Sequence, residues 1–408
     1  MKKAILILFF IICRLIGVNG QHCIGDRYSE AALFDSSEIV IQTGIQFASV
    51  EHYFTGQNLN LELDVYYPDL SIDPLQQRPV ILLIHGGAFA GGNRSAMAYE
   101  CMEYARRGFV AVTASYRLGW NCDLSNLFVA CGCPPQNIRQ AMYLAVQDAR
   151  AALRFIATQQ QWGIDNDWIF IGGESAGSLT ALATAIWNQE EAETFVSSAF
   201  TGEVGALDNS GNALPNDYSI RACIDHCGAV VNLNHLADNA DLPIISFHDS
   251  QDCIVPFGVG NVINCPCGGS YFTAYGSQSI FNYQNNLGRC VELNIAPQVL
   301  PNHCTYPKLN LVKASSCFLK RVMCGFCVNF QNSDINAATY CSSLAIEPQT
   351  ANEGCTYPNA VNFNPQAESD DGSCLFSESC SGDLNMDGIV GVEDVILILS
   401  VYGSVCPN

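Results

Sequence analysis

The apolar positions change period twice along the chain. Over residues 45–67 they alternate, with Leu61, Leu63 and Val65 in step, the pattern of antiparallel strands with one covered face. From residue 80 onward, short unbroken apolar runs are separated by longer segments of helical spacing. Residues 80–84 (Val-Ile-Leu-Leu-Ile) form a continuous run, as in a strand buried on both faces. Residues 97–107 predict a helix and 110–116 the next strand. A long helix is expected over 137–159, with Ala145, Ala151, Ala152 and Leu153 among its apolar residues. A strand follows at 168–171, then a helix through Trp187, and a later strand at 243–247. Strands alternating with helices predict an α/β fold with a mostly parallel central sheet flanked by helices.

The ends of the chain break this rhythm. Lys2 and Lys3 precede the apolar run 4–12, and Val18 and Gly20 are small. This predicts a secretory signal over residues 1–20, cleaved before Gln21. No later segment reaches about 18 unbroken apolar residues, so no membrane span is expected. From residue 349 to the end there is no Lys or Arg, and nine residues are acidic. Two short Cys-bounded segments lie here, 355–374 and 380–406, and such short segments need disulfides or metal to fold alone. The expected organisation is a signal at 1–20, a catalytic domain at 21–347, an acidic Cys-bounded module at 348–376 and a last module at 377–408.

Charge and cysteine content narrow the function classes. Net charge is −21, and removing the three basic residues of the signal leaves −24. That charge argues against a nucleic-acid role, because phosphate binding needs basic surface. There are 21 Cys, and losing Cys13 with the signal leaves an even number. That count after a signal implies disulfides in an oxidising compartment. Disulfides also explain the Cys324/Cys327 pair better than zinc does.

The strongest chemical signal is Gly172-Gly173-Glu174-Ser175-Ala176-Gly177. It holds G-x-S-x-G between a predicted strand and a predicted helix, the context a nucleophile elbow requires. Ser175 is the candidate nucleophile, and the Ala176 amide can donate to a developing oxyanion. Directly after the strand 80–84 comes His85-Gly86-Gly87-Ala88-Phe89. Consecutive glycines let backbone amides approach a substrate oxygen, so Gly86 and Gly87 are further oxyanion donors. His85 shapes this loop and is not the base. In this plan the acid and then the histidine follow the serine. Of the seven His, only His303 lies beyond the segment His248-Asp249-Ser250-Gln251-Asp252, which makes it the candidate base. Asp252 is favoured as the acid for its reach back from the strand, with Asp249 as the alternative.

HGGAF, GESAG and HDSQDCIVP together resemble the carboxylesterase and hormone-sensitive-lipase-like branch of the α/β-hydrolases, over roughly residues 47–330. Arg107-Gly108-Phe109-Val110 to Ser115-Tyr116-Arg117-Leu118 and Gln147-Asp148-Ala149-Arg150-Ala151-Ala152 are similar to that branch too. The resemblance implies an α/β-hydrolase that cleaves esters through an acyl-enzyme, with no cofactor for catalysis. The Cys-rich insert 122–133 departs from it. No large cap is expected, although 265–290 could form a rim. A serine peptidase on the same elbow and a non-catalytic adhesion or scaffold protein are the competing classes. The HGG loop favours esters, and no triad member is missing.

Near the end, Asp383-Leu384-Asn385-Met386-Asp387-Gly388-Ile389 continues to Asp394. This has the D-x-N-x-D-G loop of a calcium site, with ligands Asp383, Asn385, Asp387, the Ile389 carbonyl and Asp394. Asp in place of Glu at the last position resembles a dockerin repeat. That likeness implies Ca2+, a cohesin-like partner, and an ester substrate linked to polysaccharide, such as acetyl or feruloyl groups. Only one repeat is present, whereas dockerins usually pair two. Residues 354–374 resemble a short module of secreted bacterial proteins, with Cys355–Cys374 as its natural disulfide and Cys380–Cys406 as the next expected, in the last segment. A chelator is expected to make residues 377–408 protease-sensitive while sparing ester turnover. Limited proteolysis with and without calcium tests this, and calcium-independent resistance of the tail would count against the site.

Overall fold

Two antiparallel strands open the domain, and strands then alternate with helices. The computed structural model describes residues 22–23, 25–73, 75–120, 134–238, 242–264, 271–296, 301–334 and 341. Its elements, in chain order, are β1 (Ile39–Glu51), β2 (Asn58–Pro68), β3 (Arg78–Ile84), α1 (Ala98–Ala105), β4 (Val110–Ala114), α2 (Pro135–Ala157), β5 (Ile164–Glu174), α3 (Ala176–Ile186), α4 (Gln189–Val196) and α5 (Ser198–Val204). There follow β6 (Ile220–His226), β7 (Ala229–Val230), α6 (His235–Asp238), β8 (Ile244–Asp249), β9 (Val259–Asn261), β10 (Thr273–Gly276), α7 (Ser277–Asn286), β11 (Val291–Ala296), α8 (Lys308–Met323) and β12 (Phe330–Asn332). The calcium ligands Asp383, Asn385, Asp387, Ile389 and Asp394, the signal and both C-terminal modules lie outside the described residues. So does the insert 122–133.

The central sheet has the order β1-β2-β4-β3-β5-β6-β8-β11-β12. β1, β2 and β4 pair antiparallel, and from β4 to β12 every pairing is parallel. This mixed sheet with helices packed on it fits the α/β-hydrolase plan. The two-residue period of β3 shows why both faces must be covered. Val80, Leu82 and Ile84 enter one core with Leu153 of α2 and Leu182 of α3. Ile81 and Leu83 enter another with Tyr104 of α1 and Phe318 of α8.

Several elements differ from the sequence expectation. The strand expected over 110–116 ends at Ala114, because Tyr116 leaves the ladder to stack on His85 at 4.4 Å. β6 and β11 were not anticipated. Each buries polar side chains: Asp225 and His226 in β6, Glu292 and Asn294 in β11. Those residues interrupt the apolar run that marks a central strand. Glu292 meets Arg321 of α8, yet burial outweighs that pairing and pushes its carboxyl up to about 7. The described part of 265–290 brings Phe272 to the wall of the cavity that holds Ser175. It holds β10 and α7, and α7 buries Ile280 and Phe281.

Cysteines are bonded as Cys227–Cys304, Cys290–Cys327 and Cys317–Cys341. Cys324 is also in a disulfide. Pairing is incomplete, however, since Cys101 and Cys223 are buried free thiols. Among the described residues, no helix is long and apolar enough to cross a membrane.

One ion pair fastens α2 to the segment after β4. Arg117 Nη2 lies 2.7 Å from Asp148 Oδ1, and the Arg117 amide donates to Asp148 Oδ2 at 2.7 Å. Both side chains are buried. Burial pushes the Asp148 carboxyl up against the pull of Arg117. Removing one partner strands the other charge in the core, so Asp148→Ala is expected to lower unfolding free energy by about 3–5 kcal/mol. Urea denaturation with the disulfides intact measures this.

Candidate active site

The turn between β5 and α3 sets Ser175 in a conformation that L residues seldom adopt, φ 56° and ψ −121°. Such strain persists only where the surroundings hold it. Here the Ser175 amide donates to the His226 carbonyl at 2.9 Å. Both flanking glycines are required by close packing. A Cβ on Gly173 would lie 2.7 Å from the Ile84 carbonyl oxygen, and one on Gly177 would overlap that same oxygen. The strand end of β3 therefore presses on the elbow.

The loop after β3 returns to the same place. Gly86 packs on the elbow so tightly that a Cβ there would sit 2.9 Å from the Glu174 carbonyl oxygen and 3.3 Å from Ser175 Cβ. Gly87 has φ 119°, and a Cβ there would overlap the Gly91 carbonyl. His85 is buried beneath this loop. Its Nδ1 donates to the Gly86 carbonyl at 2.8 Å, and the Tyr116 hydroxyl donates to the His85 carbonyl at 3.1 Å. Gly86 and the Ser175–Ala176 turn thus adjoin one another.

His303 reaches the serine from 128 residues away, with Nε2 2.7 Å from Ser175 Oγ. Its Nδ1 lies 2.6 Å from Asp252 Oδ2. The structure so brings together Ser175, His303 and Asp252. Burial works to raise the Asp252 carboxyl, but hydrogen bonds from His248 and His303 outweigh it and hold it below its ordinary value. Asp252 Oδ1 also accepts the amides of Ile254 and Val255 at 2.9 and 3.1 Å. Asp249 takes another position. It accepts the Thr305 amide at 2.7 Å and the Thr305 hydroxyl, so it anchors the loop that carries His303. The Cys227–Cys304 disulfide anchors that loop a second time, to the end of β6. Neither anchor was foreseen, because only the folded chain sets residues 227 and 249 beside residues 304 and 305.

Glu174, just before the serine, was also not singled out. Its Oε2 lies 3.6 Å from His226 Nδ1 and 3.7 Å from Lys308 Nζ. Lys308 is held by Glu100 at 2.6 Å. Burial, with His303 and Lys308 nearby, pushes the His226 imidazole down to about 3.

Beside Ser175 lies an apolar cavity of about 30 Å³, lined by Phe89, Ile138, Leu179, Val262, Ile263 and Phe272 among others. A roomier cavity of about 420 Å³, lined by Ser49, Glu51, Tyr53 and Glu203, contains none of the three residues. The cavity at the serine matters more for chemistry, because it adjoins the reactive hydroxyl.

Residues 38–197 match the model of the Carboxylesterase family. That stretch holds the glycine loop and the elbow, and supports an ester-hydrolysing enzyme. Asp252 and His303 lie beyond it. The chain is 28% identical to the cAMP-regulated D2 protein of Dictyostelium discoideum over 158 residues, 38% of this chain and 28% of that protein. It is 32% identical to the para-nitrobenzyl esterase of Bacillus subtilis over 127 residues, 30% of this chain and 24% of that one. The chain thus spans about a quarter of the length of these curated relatives. Among solved structures, esterase 2 of Thermogutta terrifontis phosphorylated by paraoxon aligns at 18% identity and a TM-score of 0.40, covering 67% of this chain and 86% of that one.

The depressed His226 makes stability depend on pH. Unfolded, it takes a proton below its ordinary value of about 6.5; folded, it resists until about 3. The unfolded state then binds more protons across that window, so stability is full above about 6.5 and is lost as pH falls toward 3. Melting temperatures across this window should fall less steeply in His226→Asn than in the native protein.

Proposed function

We propose that the protein is a secreted serine carboxylic-ester hydrolase working through an acyl-enzyme. The observation that carries this is the hydrogen-bonded series Ser175–His303–Asp252 at a strained elbow. Ser175 Oγ attacks the ester carbonyl as His303 Nε2 takes its proton, and Asp252 stabilises the imidazolium. The amides of Gly86, Gly87 and Ala176 receive the oxyanion. Collapse expels the alcohol, which takes the proton from His303. Water then repeats the sequence on the acyl-enzyme, releasing the acid and restoring Ser175.

The acyl group is short. The apolar cavity beside Ser175 suits an acetyl better than a feruloyl group, which narrows the two acyl classes implied by the resemblance. The alcohol side is a bulky extracellular polymer such as polysaccharide, by analogy with the dockerin-like tail. The disulfides support an oxidising compartment, and residues 1–20 would direct the chain there. Ca2+ bound by the last module and a cohesin-like partner belong to the same reading.

Aryl acetate hydrolysis by the full chain tests the core of it. Ser175→Ala and His303→Ala are expected to lose at least about a thousandfold in kcat. Asp252→Asn should lose roughly 10³- to 10⁴-fold, and Asp249→Asn far less. Native turnover that survives Ser175→Ala would overturn the assignment.

A further inference from the structure

The contacts of Asp252 do not end at His303. His248, on β8, is fully buried, with Nε2 3.3 Å from Asp252 Oδ2 and 3.1 Å from the Val255 carbonyl. Its Nδ1 lies 2.7 Å from the hydroxyl of Ser277, the first residue of α7. Ser277 donates to Asp225 Oδ2 at 2.6 Å. Asp225 Oδ1 accepts from the Ser178 hydroxyl at 2.6 Å and the Gly228 amide at 2.8 Å. Ser178 stands on α3, the helix that Ser175 heads. A polar circuit therefore leaves α3 at Ser175 and returns to it at Ser178.

Counting protons around this circuit fixes the state of His248. A carbonyl only accepts, so Nε2 carries hydrogen. Ser277 has one proton, and its bond to Asp225 uses it. The 2.7 Å contact at Nδ1 then needs a hydrogen from the ring, or two lone pairs would face each other. Reversing Ser277 would demand a carboxylic acid at Asp225, yet that residue already receives Ser178 and Gly228, the donors that suit a carboxylate. The charged or titratable groups acting on the ring are Asp225 and His226 from β6 and Asp252 from the loop after β8, with His303 beyond Asp252; Asp249, on the opposite face of the strand, turns to Thr305. α7 presents Ser277, and the ring edge meets Phe257 at 5.6 Å. Burial pulls the His248 imidazole down, but Asp252 and Asp225 outweigh it and hold it above its ordinary value.

We propose that His248 is a positioning residue of this site: a resident imidazolium that shares Asp252 Oδ2 with His303 and neutralises Asp225. It holds the acid in place and weakens the field that Asp252 exerts on His303. It thereby sets the pH above which His303 serves as base. The kinetic consequence rests on the esterase reading, whereas the protonation state does not.

Two measurements on the full chain separate these. Nitrogen NMR of the 15N-histidine-labelled protein is expected to show one ring with hydrogen on both nitrogens at neutral pH, where a free imidazole is mostly neutral. That ring is assigned by its loss in His248→Gln or its displacement in Ser277→Ala. A single-proton His248 at neutral pH would overturn the proposal, whether or not the protein hydrolyses esters. In kinetics, His248→Gln removes a cation near His303, so the acid limb of the kcat/KM–pH profile moves up by about one pH unit. Lower activity with an unmoved limb would reduce His248 to a packing role and also overturn it. An inactive native protein would instead defeat the esterase reading and leave the NMR result to stand by itself.

Discussion

The contact between the end of β3 and the turn after β5 governs the arrangement around it. The Ile84 carbonyl occupies the space a side chain would need at Gly177 and crowds that at Gly173. The turn can close only with glycine on both sides of Ser175, and closing it forces Ser175 to φ 56°. The same closeness carries the chain leaving β3 directly across the serine, which puts Gly86 beside it. A nucleophile and the loop that can receive an oxyanion are thus two products of one backbone contact. Neighbouring parallel strands make that contact inevitable, since their C-terminal ends finish on the same edge.

Around this contact the protein buries a connected set of polar side chains. Asp225, Ser277 and His248 are shut away from water, and each has partners of matching donor or acceptor character. Unpaired, any one of them would be costly. Paired, they hold one another in a single geometry, because each hydrogen bond removes a choice from the next. Glu174, His226 and Lys308 form a second polar group beside the serine.

Bringing His303 to Ser175 closes a long loop, and such closure has an entropic cost that grows slowly with length. Three features offset it locally: the Cys227–Cys304 disulfide, the Asp249–Thr305 hydrogen bonds and the Asp252–His303 pair. All three act within two residues of the imidazole, so the ring is held where precision matters. The motif stretches noted earlier in the chain find a structural role as well. Arg117 and Asp148 pair in the core and tie the sheet to α2.

Much of the plan was readable from residues alone. The apolar run of β3, the alternation in β1 and β2, and the glycines around Ser175 carry their meaning locally, because period and backbone freedom are properties of neighbouring residues. Chain order singled out His303, and reach favoured Asp252 over Asp249. The central strands β6 and β11 were hidden, since Asp225, His226, Glu292 and Asn294 look like surface residues until their partners are known. The same blindness covered His248. Its sequence neighbours say nothing of Ser277, Asp225 or Ser178, which lie up to 70 residues away and meet it only across the packed sheet. Local pattern determined where a serine could be nucleophilic; only tertiary structure decided which buried charges surround it, because burial and pairing are properties of the whole fold.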